Sequence, residues 1–270
     1  MNRAPEVSAW ATHVVQLRAA RAFFRACHQA DLPALPVKGI VTAHTLYDDP
    51  ASRPLRDVDI RIRPDDYARL GDVARAEGWR FAEVKRAYQN YVLEVEGVEV
   101  DVECHVGPPH TCSLRVADMI ARARPGNVLG FAAPIPDPID HAVLLVVNAF
   151  KDKLALARDG ALEDLVRLPS LADFDGPAIA ERLRAAGAAT LGWIVSDYLA
   201  RERDSAGWRA VRDALEPLRR PVYERLLRWS RARPDGVASI VLARASSDEP
   251  FERVRALATM ARWAAERRSS

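Results

Sequence analysis

The segment Asp57-Val-Asp-Ile-Arg-Ile62 alternates without a break between charged and β-branched residues. A period of two puts Val58, Ile60 and Ile62 on one face of an extended strand and Asp57, Asp59 and Arg61 on the other. The pattern therefore predicts a strand that gives one face to a core and keeps the other polar. Val98–Val106 repeats it, with Val98, Val100 and Val102 set against Glu99, Asp101 and Glu103. Together with Tyr88–Val95 this run predicts a hairpin closed at Glu96-Gly97.

The surrounding residues supply the rest of a mixed domain. Trp10, Val14, Leu17, Ala20 and Phe24 recur at helical spacing, so a helix is expected from about Glu6 to Gln29. Trp10, Phe23 and Phe24 are read as its core-facing stripe. Asp31-Leu-Pro-Ala-Leu-Pro stops that helix, and a short strand through Leu35-Pro-Val-Lys38-Gly39 leads into a helix over Ile40–Tyr47. Pro64 opens another, with Asp65 and Asp66 in its first turn, and Gly78 ends it before a short strand over 79–84. The order α-β-α-β-α-β-β indicates an α/β (α+β) fold, a mixed sheet with flanking helices. From Asp137-Pro138 onward the pattern is helical, with breaks at Gly, Pro or Asp. Two domains are expected, residues 1–136 and a helical domain 137–270, with 107–136 joining them.

Composition excludes several classes. With 49% hydrophobic and 28% charged residues, the chain is neither disordered nor collagen-like. Three cysteines cannot build a disulfide framework, and no apolar run approaches the ~18 residues of a membrane span. The N-terminus lacks the basic-then-apolar order of a signal peptide, so a cytoplasmic protein without membrane partners is expected. Only four of 39 basic residues are lysine, which makes Lys38 and Lys153 stand out.

Asp57 and Asp59 are two residues apart on one strand, so their Cα atoms lie roughly 6.5–7 Å apart on one face. That spacing lets two carboxylates hold hard cations between them. Asp101, on a strand of the same alternation, is the candidate for a third ligand, completing a metal set of Asp57, Asp59 and Asp101 for two Mg²⁺ ions. Paired metals stabilise the attacking and leaving oxygens of an in-line phosphoryl displacement. Lys38-Gly39, at a strand-to-helix junction, offers a charge and a close-approaching backbone to a phosphate chain.

The set Lys38-Gly39, Leu46-Tyr47, Arg53 and Asp57-Val-Asp59 resembles the uncharacterised nucleotidyltransferase branch of the DNA polymerase β-type nucleotidyltransferase superfamily. Val100-Asp101-Val102-Glu103 stands where that family has Asp-Leu-His, with His105 two residues further on. The resemblance covers residues 33–106, and 137–168 more loosely. It implies transfer of a nucleoside monophosphate from an NTP to an acceptor, with release of pyrophosphate. It also implies catalysis by Asp57, Asp59 and Asp101, and nucleotide binding by Lys38, Gly39, Arg53, Arg56 and Lys153.

Lys153 and Asp164 resemble the helical lysine and aspartate of toxin-type nucleotidyltransferases. On a continuous helix they would share a face, ~20° beyond three full turns, but Asp159-Gly160 lies between them. Three readings stay open. One is an enzyme with a small-molecule or protein acceptor. Another is a toxin-like enzyme acting on tRNA, favoured by the last 70 residues, which hold 16 Arg against 10 acidic residues. The third is a non-catalytic nucleotide-binding or interaction module. Cys104-His105 and His110-x-Cys112 do not match paired-cysteine zinc spacing, and His44 is read as a packing or surface residue.

Overall fold

The structure is a computed structural model that describes residues 4–127, 129–152, 160–218, 221, 224–225, 228–229 and 237–269. The chain divides into two compact units, residues 1–105 with 116–137, and residues 106–115 with 138–270. No helix among the described residues is long and apolar enough to cross a membrane.

The first unit is built on a five-stranded mixed sheet in the order β1-β2-β5-β4-β3. Its strands are β1 (Ala34–Val37), β2 (Val58–Ile62), β3 (Arg80–Lys85), β4 (Asn90–Val95) and β5 (Val98–Glu103). β1 runs antiparallel to β2, β2 parallel to β5, and β5-β4-β3 is an antiparallel meander. The β4–β5 turn is Glu96-Gly97, both at positive φ (48° and 82°), as a two-residue hairpin loop requires.

Helices α1 (Ala4–Gln29) and α3 (Tyr67–Ala76) contribute to the core cluster formed with the apolar sheet face. Val58, Ile60, Ile62, Val100, Val102, Leu93 and Val95 meet Ala20, Phe23, Phe24 and Cys27 of α1 and Leu70 of α3 there. Tyr67 stacks on Tyr91 with ring centroids 4.2 Å apart. Gly71 fits because a Cβ at that position would come within 2.9 Å of the Tyr91 hydroxyl.

The expected stripe on α1 needs correction at its N-terminal end. Trp10 is 60% exposed and Val14 40%, whereas His13 and Gln16 are buried. Phe23 and Phe24 do lie in the core. The buried face therefore carries polar groups at His13 and Gln16 and becomes apolar where it joins the core cluster. Residues 107–136, expected only to join two domains, carry α4 (Val116–Arg122) and a small hairpin, β6 (Arg124–Gly126) with β7 (Ala133–Ile135).

The second unit is helical: α5 (Pro138–Asp152), α6 (Gly160–Arg167), α7 (Gly176–Ala185), α8 (Ala189–Glu202), α9 (Ala206–Leu215), α10 (Val237–Arg244) and α11 (Pro250–Ser269). α5 buries the run Ala142–Val147. Gly192 admits α7, since a Cβ there would meet Leu183 at 2.8 Å. Buried Trp208 donates its indole N–H to the Leu165 carbonyl at 2.6 Å. Segment 106–115 is tied to the last helices by His110 with Glu252 (2.8 Å) and by the Thr111 hydroxyl donating to the Arg244 carbonyl (3.0 Å).

Candidate functional site

The parallel pairing of β2 with β5 sets the site. In its register Asp59 stands directly beside Asp101, and Arg61 beside Glu103. Partners in a ladder share a face, so Asp59, Arg61, Asp101 and Glu103 all lie opposite the valine and isoleucine set. Asp57 immediately precedes β2 and is exposed. The period-two pattern assigns it to the same side as Asp59.

Lys38 completes the group. Val37 pairs with Asp59 across β1 and β2, so the next residue ends the strand beside that carboxylate. The Lys38 ammonium donates to Asp59 at 2.6 Å, with both side chains largely buried. Its carbonyl accepts from the amides of Val41 and Thr42, which begins helix α2 (Gly39–Thr45). The chain turns from strand to helix at this one residue, with φ 56° and ψ −137°. A side chain in that region is strained by roughly 1–3 kcal/mol and is held there by its surroundings. Gly39 follows because the space above it is occupied: a Cβ would meet Leu55 at 2.9 Å and the Arg53 guanidinium at 3.2 Å.

Three carboxylates (Asp59, Asp101, Glu103) share this face with two cations, Lys38 and Arg61. Burial, then the negative charges of Glu103 and Asp59, push the Asp101 carboxyl up to about 6. For Lys38, burial acts to lower the pKa, but Asp59 and Glu103 outweigh it and the net shift is upward. Arg61, fully buried, pairs with Glu103 and also donates to the Ile60 carbonyl at 3.1 Å. The Asn90 amide, on β4, donates to Asp101 and, at 3.2 Å, to the Val102 carbonyl.

The expected residues distribute as follows. Asp59, Asp101 and Lys38 come together, with Gly39 and Arg53 in contact at the start of α2. Arg56 is exposed and has no charged partner among the described residues. Lys153 lies outside the described residues; Asp164 is fully buried in α6. Among the described residues no group of three or more His, Cys, Asp or Glu side chains stands ready to hold a metal ion. The three cysteines are buried free thiols. His105 bonds Gln89 at 3.1 Å. His44 faces His13, with their Nε2 atoms 3.0 Å apart, which is a packing role.

Sequence reasoning missed Arg61 and Asn90 as parts of the site. The signal for Asn90 was present: counting back from the two-residue turn pairs Asn90 with Glu103, on the same face as Asp101. Arg61 was read on the polar face and is buried there against Glu103.

A family model described as "Uncharacterised nucleotidyltransferase" matches residues 7–201. Among solved structures, the chain is similar to the solution structure of the antibiotic-resistance factor ANT(2'')-Ia. That match has 14% sequence identity and a TM-score of 0.47, and covers 71% of this chain and 97% of the other. No curated protein matches the sequence.

Proposed function

The chain belongs to the uncharacterised nucleotidyltransferase family, and from that premise we propose that it transfers a nucleoside monophosphate from an NTP to an acceptor in a Mg²⁺-dependent reaction. The acceptor oxygen bonds to the α-phosphorus, the bond to the β-phosphoryl bridging oxygen breaks, and pyrophosphate leaves. The observation that carries this reading is the register of β2 and β5, which sets Asp59 beside Asp101 with Lys38 against Asp59.

The donor set fits a hard divalent cation. Its candidate ligands are carboxylate oxygens, and Asp59, Asp101 and Glu103 against Lys38 and Arg61 leave a local excess of negative charge. Asp57, Asp59 and Asp101 would hold the metal. When bound, it would neutralise phosphate charge and make the acceptor hydroxyl more acidic. Lys38 supplies a cation to the triphosphate, with Arg53 and Arg56 as further phosphate partners. Asp101 takes the acceptor's proton on its carboxylate, and Asn90 and the Arg61–Glu103 pair hold that strand's polar face in position.

A small-molecule or protein acceptor is favoured over RNA to the extent that some described arginines of the C-terminal helices are already engaged with carboxylates. Arg201 and Arg228 pair with Asp197, Arg209 with Asp204, and Arg255 with Glu252. Polyanion binding needs cations that can neutralise phosphates.

The test is Asp59→Asn, with circular dichroism to confirm the fold. Incubation with each labelled NTP, Mg²⁺ and a cell extract should label an acceptor and release pyrophosphate with the native chain, and give neither with the variant. Turnover retained by folded Asp59→Asn removes these carboxylates from the chemistry. A label on RNA, with binding that falls steeply as salt rises, would replace the acceptor class.

A further inference from the structure

A cavity of about 730 Å³ lies within the first unit, and none of Lys38, Asp59, Arg61, Asp101 or Glu103 lines it. Phe24 of α1, Ile120 of α4, Phe131 and Pro134 of the small hairpin, and Pro33 before β1 form much of its apolar wall. Phe24 and Phe131 meet there with ring centroids 5.9 Å apart. That volume is within the range of small-molecule sites. It reaches β1 at Ala34, the end of the strand opposite Lys38. At about 3.3 Å per residue, the two sites are separated by roughly 13 Å of strand.

Its rim is basic. Arg21, Arg25 and His28 line it, and positions i, i+4 and i+7 put all three on one side of α1. All three are exposed, and none of their side chains has an ion pair or hydrogen-bond partner among the described residues. Among the described residues no carboxylate lines the cavity. Elsewhere on the same helix Arg18 pairs with Glu96. Cys27 also lines the cavity, but burial pushes its thiol up to about 12, so it offers no nucleophile. The chemistry is therefore non-covalent: an apolar slot with a fork of guanidinium groups at its mouth, matched to an oxyanion on an aromatic or branched aliphatic body.

We propose that this cavity binds a small amphipathic organic anion, with the apolar body against the joined Phe24 and Phe131 rings and the anionic group on Arg21 and Arg25. The proposal does not depend on the nucleotidyl-transfer reading, and its readout is binding alone.

The test uses the full chain and the fluorescent probe 1-anilinonaphthalene-8-sulfonate, with neutral N-phenyl-1-naphthylamine as the uncharged counterpart. The native chain should bind the sulfonate at least tenfold more tightly than the neutral probe. Arg21→Glu/Arg25→Glu, at exposed positions, should weaken sulfonate binding at least tenfold. Ala132→Trp, which fills the cavity from an exposed lining residue without changing charge, should do the same. Displacement by 1-naphthoate or by 1-naphthyl phosphate supports the proposal, and the tighter of the two identifies the carboxylate or phosphate class. Equal affinity for the two probes, or sulfonate binding unchanged in either variant, overturns it. So does failure of both naphthyl anions to displace the dye.

Discussion

Replacing Lys38 by alanine and, separately, by glycine isolates the backbone strain at the strand-to-helix junction. Both variants delete the ammonium that sits 2.6 Å from Asp59, so the loss of that buried pair is common to them and cancels in the comparison. What differs is a single Cβ at φ 56°, ψ −137°. On chain entropy alone, glycine is the worse choice by about 0.5–1 kcal/mol, because its unfolded state has more freedom to lose. Relief of a strain of about 1–3 kcal/mol has the opposite sign and is larger. Lys38→Gly should therefore be the more stable variant by about 0.5–2 kcal/mol. For a cooperative unit of this size the difference is a few degrees in melting temperature. Thermal melts and urea midpoints in the same buffer measure it, with equal urea slopes required before midpoints are compared. If Lys38→Ala melts at or above Lys38→Gly, the junction is not strained and the argument from its conformation fails. Both variants should lose nucleotidyl transfer, so recovered stability without recovered activity is the full expected pattern.

Two other perturbations test the buried charges. Arg61→Met should destabilise the first unit by about 3–5 kcal/mol by leaving Glu103 without its buried partner, and Arg61→Met/Glu103→Leu should recover most of that loss. Urea denaturation of the two variants decides it, and a double variant no more stable than the single one refutes the pairing. His141, buried in α5, has its pKa pushed down to about 4 by burial, below the usual 6.5. Between those values the unfolded chain holds the extra proton, so stability is complete above the upper value and falls as pH drops through the window, by up to about 3 kcal/mol. The slope of stability against pH should flatten there in His141→Gln, and equal slopes for the two proteins would exclude this histidine.

The parts of the fold that were legible in sequence are those governed by a short period. Alternation identified β2 and β5 and which residues share their faces, and Glu96-Gly97 fixed the hairpin register. It could not reveal that β2 pairs with β5 rather than with β4, because a strand's own pattern says nothing about its neighbour. That non-local choice puts Asp101 beside Asp59. The first turns of α1 misled for a related reason: Trp10 and Val14 fit a helical stripe, but periodicity cannot locate where the core cluster ends. His13 and Gln16 are buried instead, and the His13 ring meets His44 of α2, a contact between residues with no shared local pattern. Lys38 was visible as a lysine before a glycine; its strained backbone was not, since composition gives no dihedral angle.

Core and site are two halves of one period-two pattern, which constrains how the site can vary. Sliding β5 by one residue against β2 would turn Val98, Val100 and Val102 outward and drive Glu99, Asp101 and Glu103 into the cluster with Phe23 and Leu70. Three unpaired carboxylates in that cluster would cost far more than a domain's net stability. The valines therefore hold Asp101 on the polar face even though none touches a substrate, and no rearrangement short of unfolding the sheet can move it across. Local adjustment is least constrained at Asp57, which is exposed and precedes the strand. In the proposed site, Asp59 and Asp101, fixed in register, would be the rigid part, and exposed Asp57 the part freest to move.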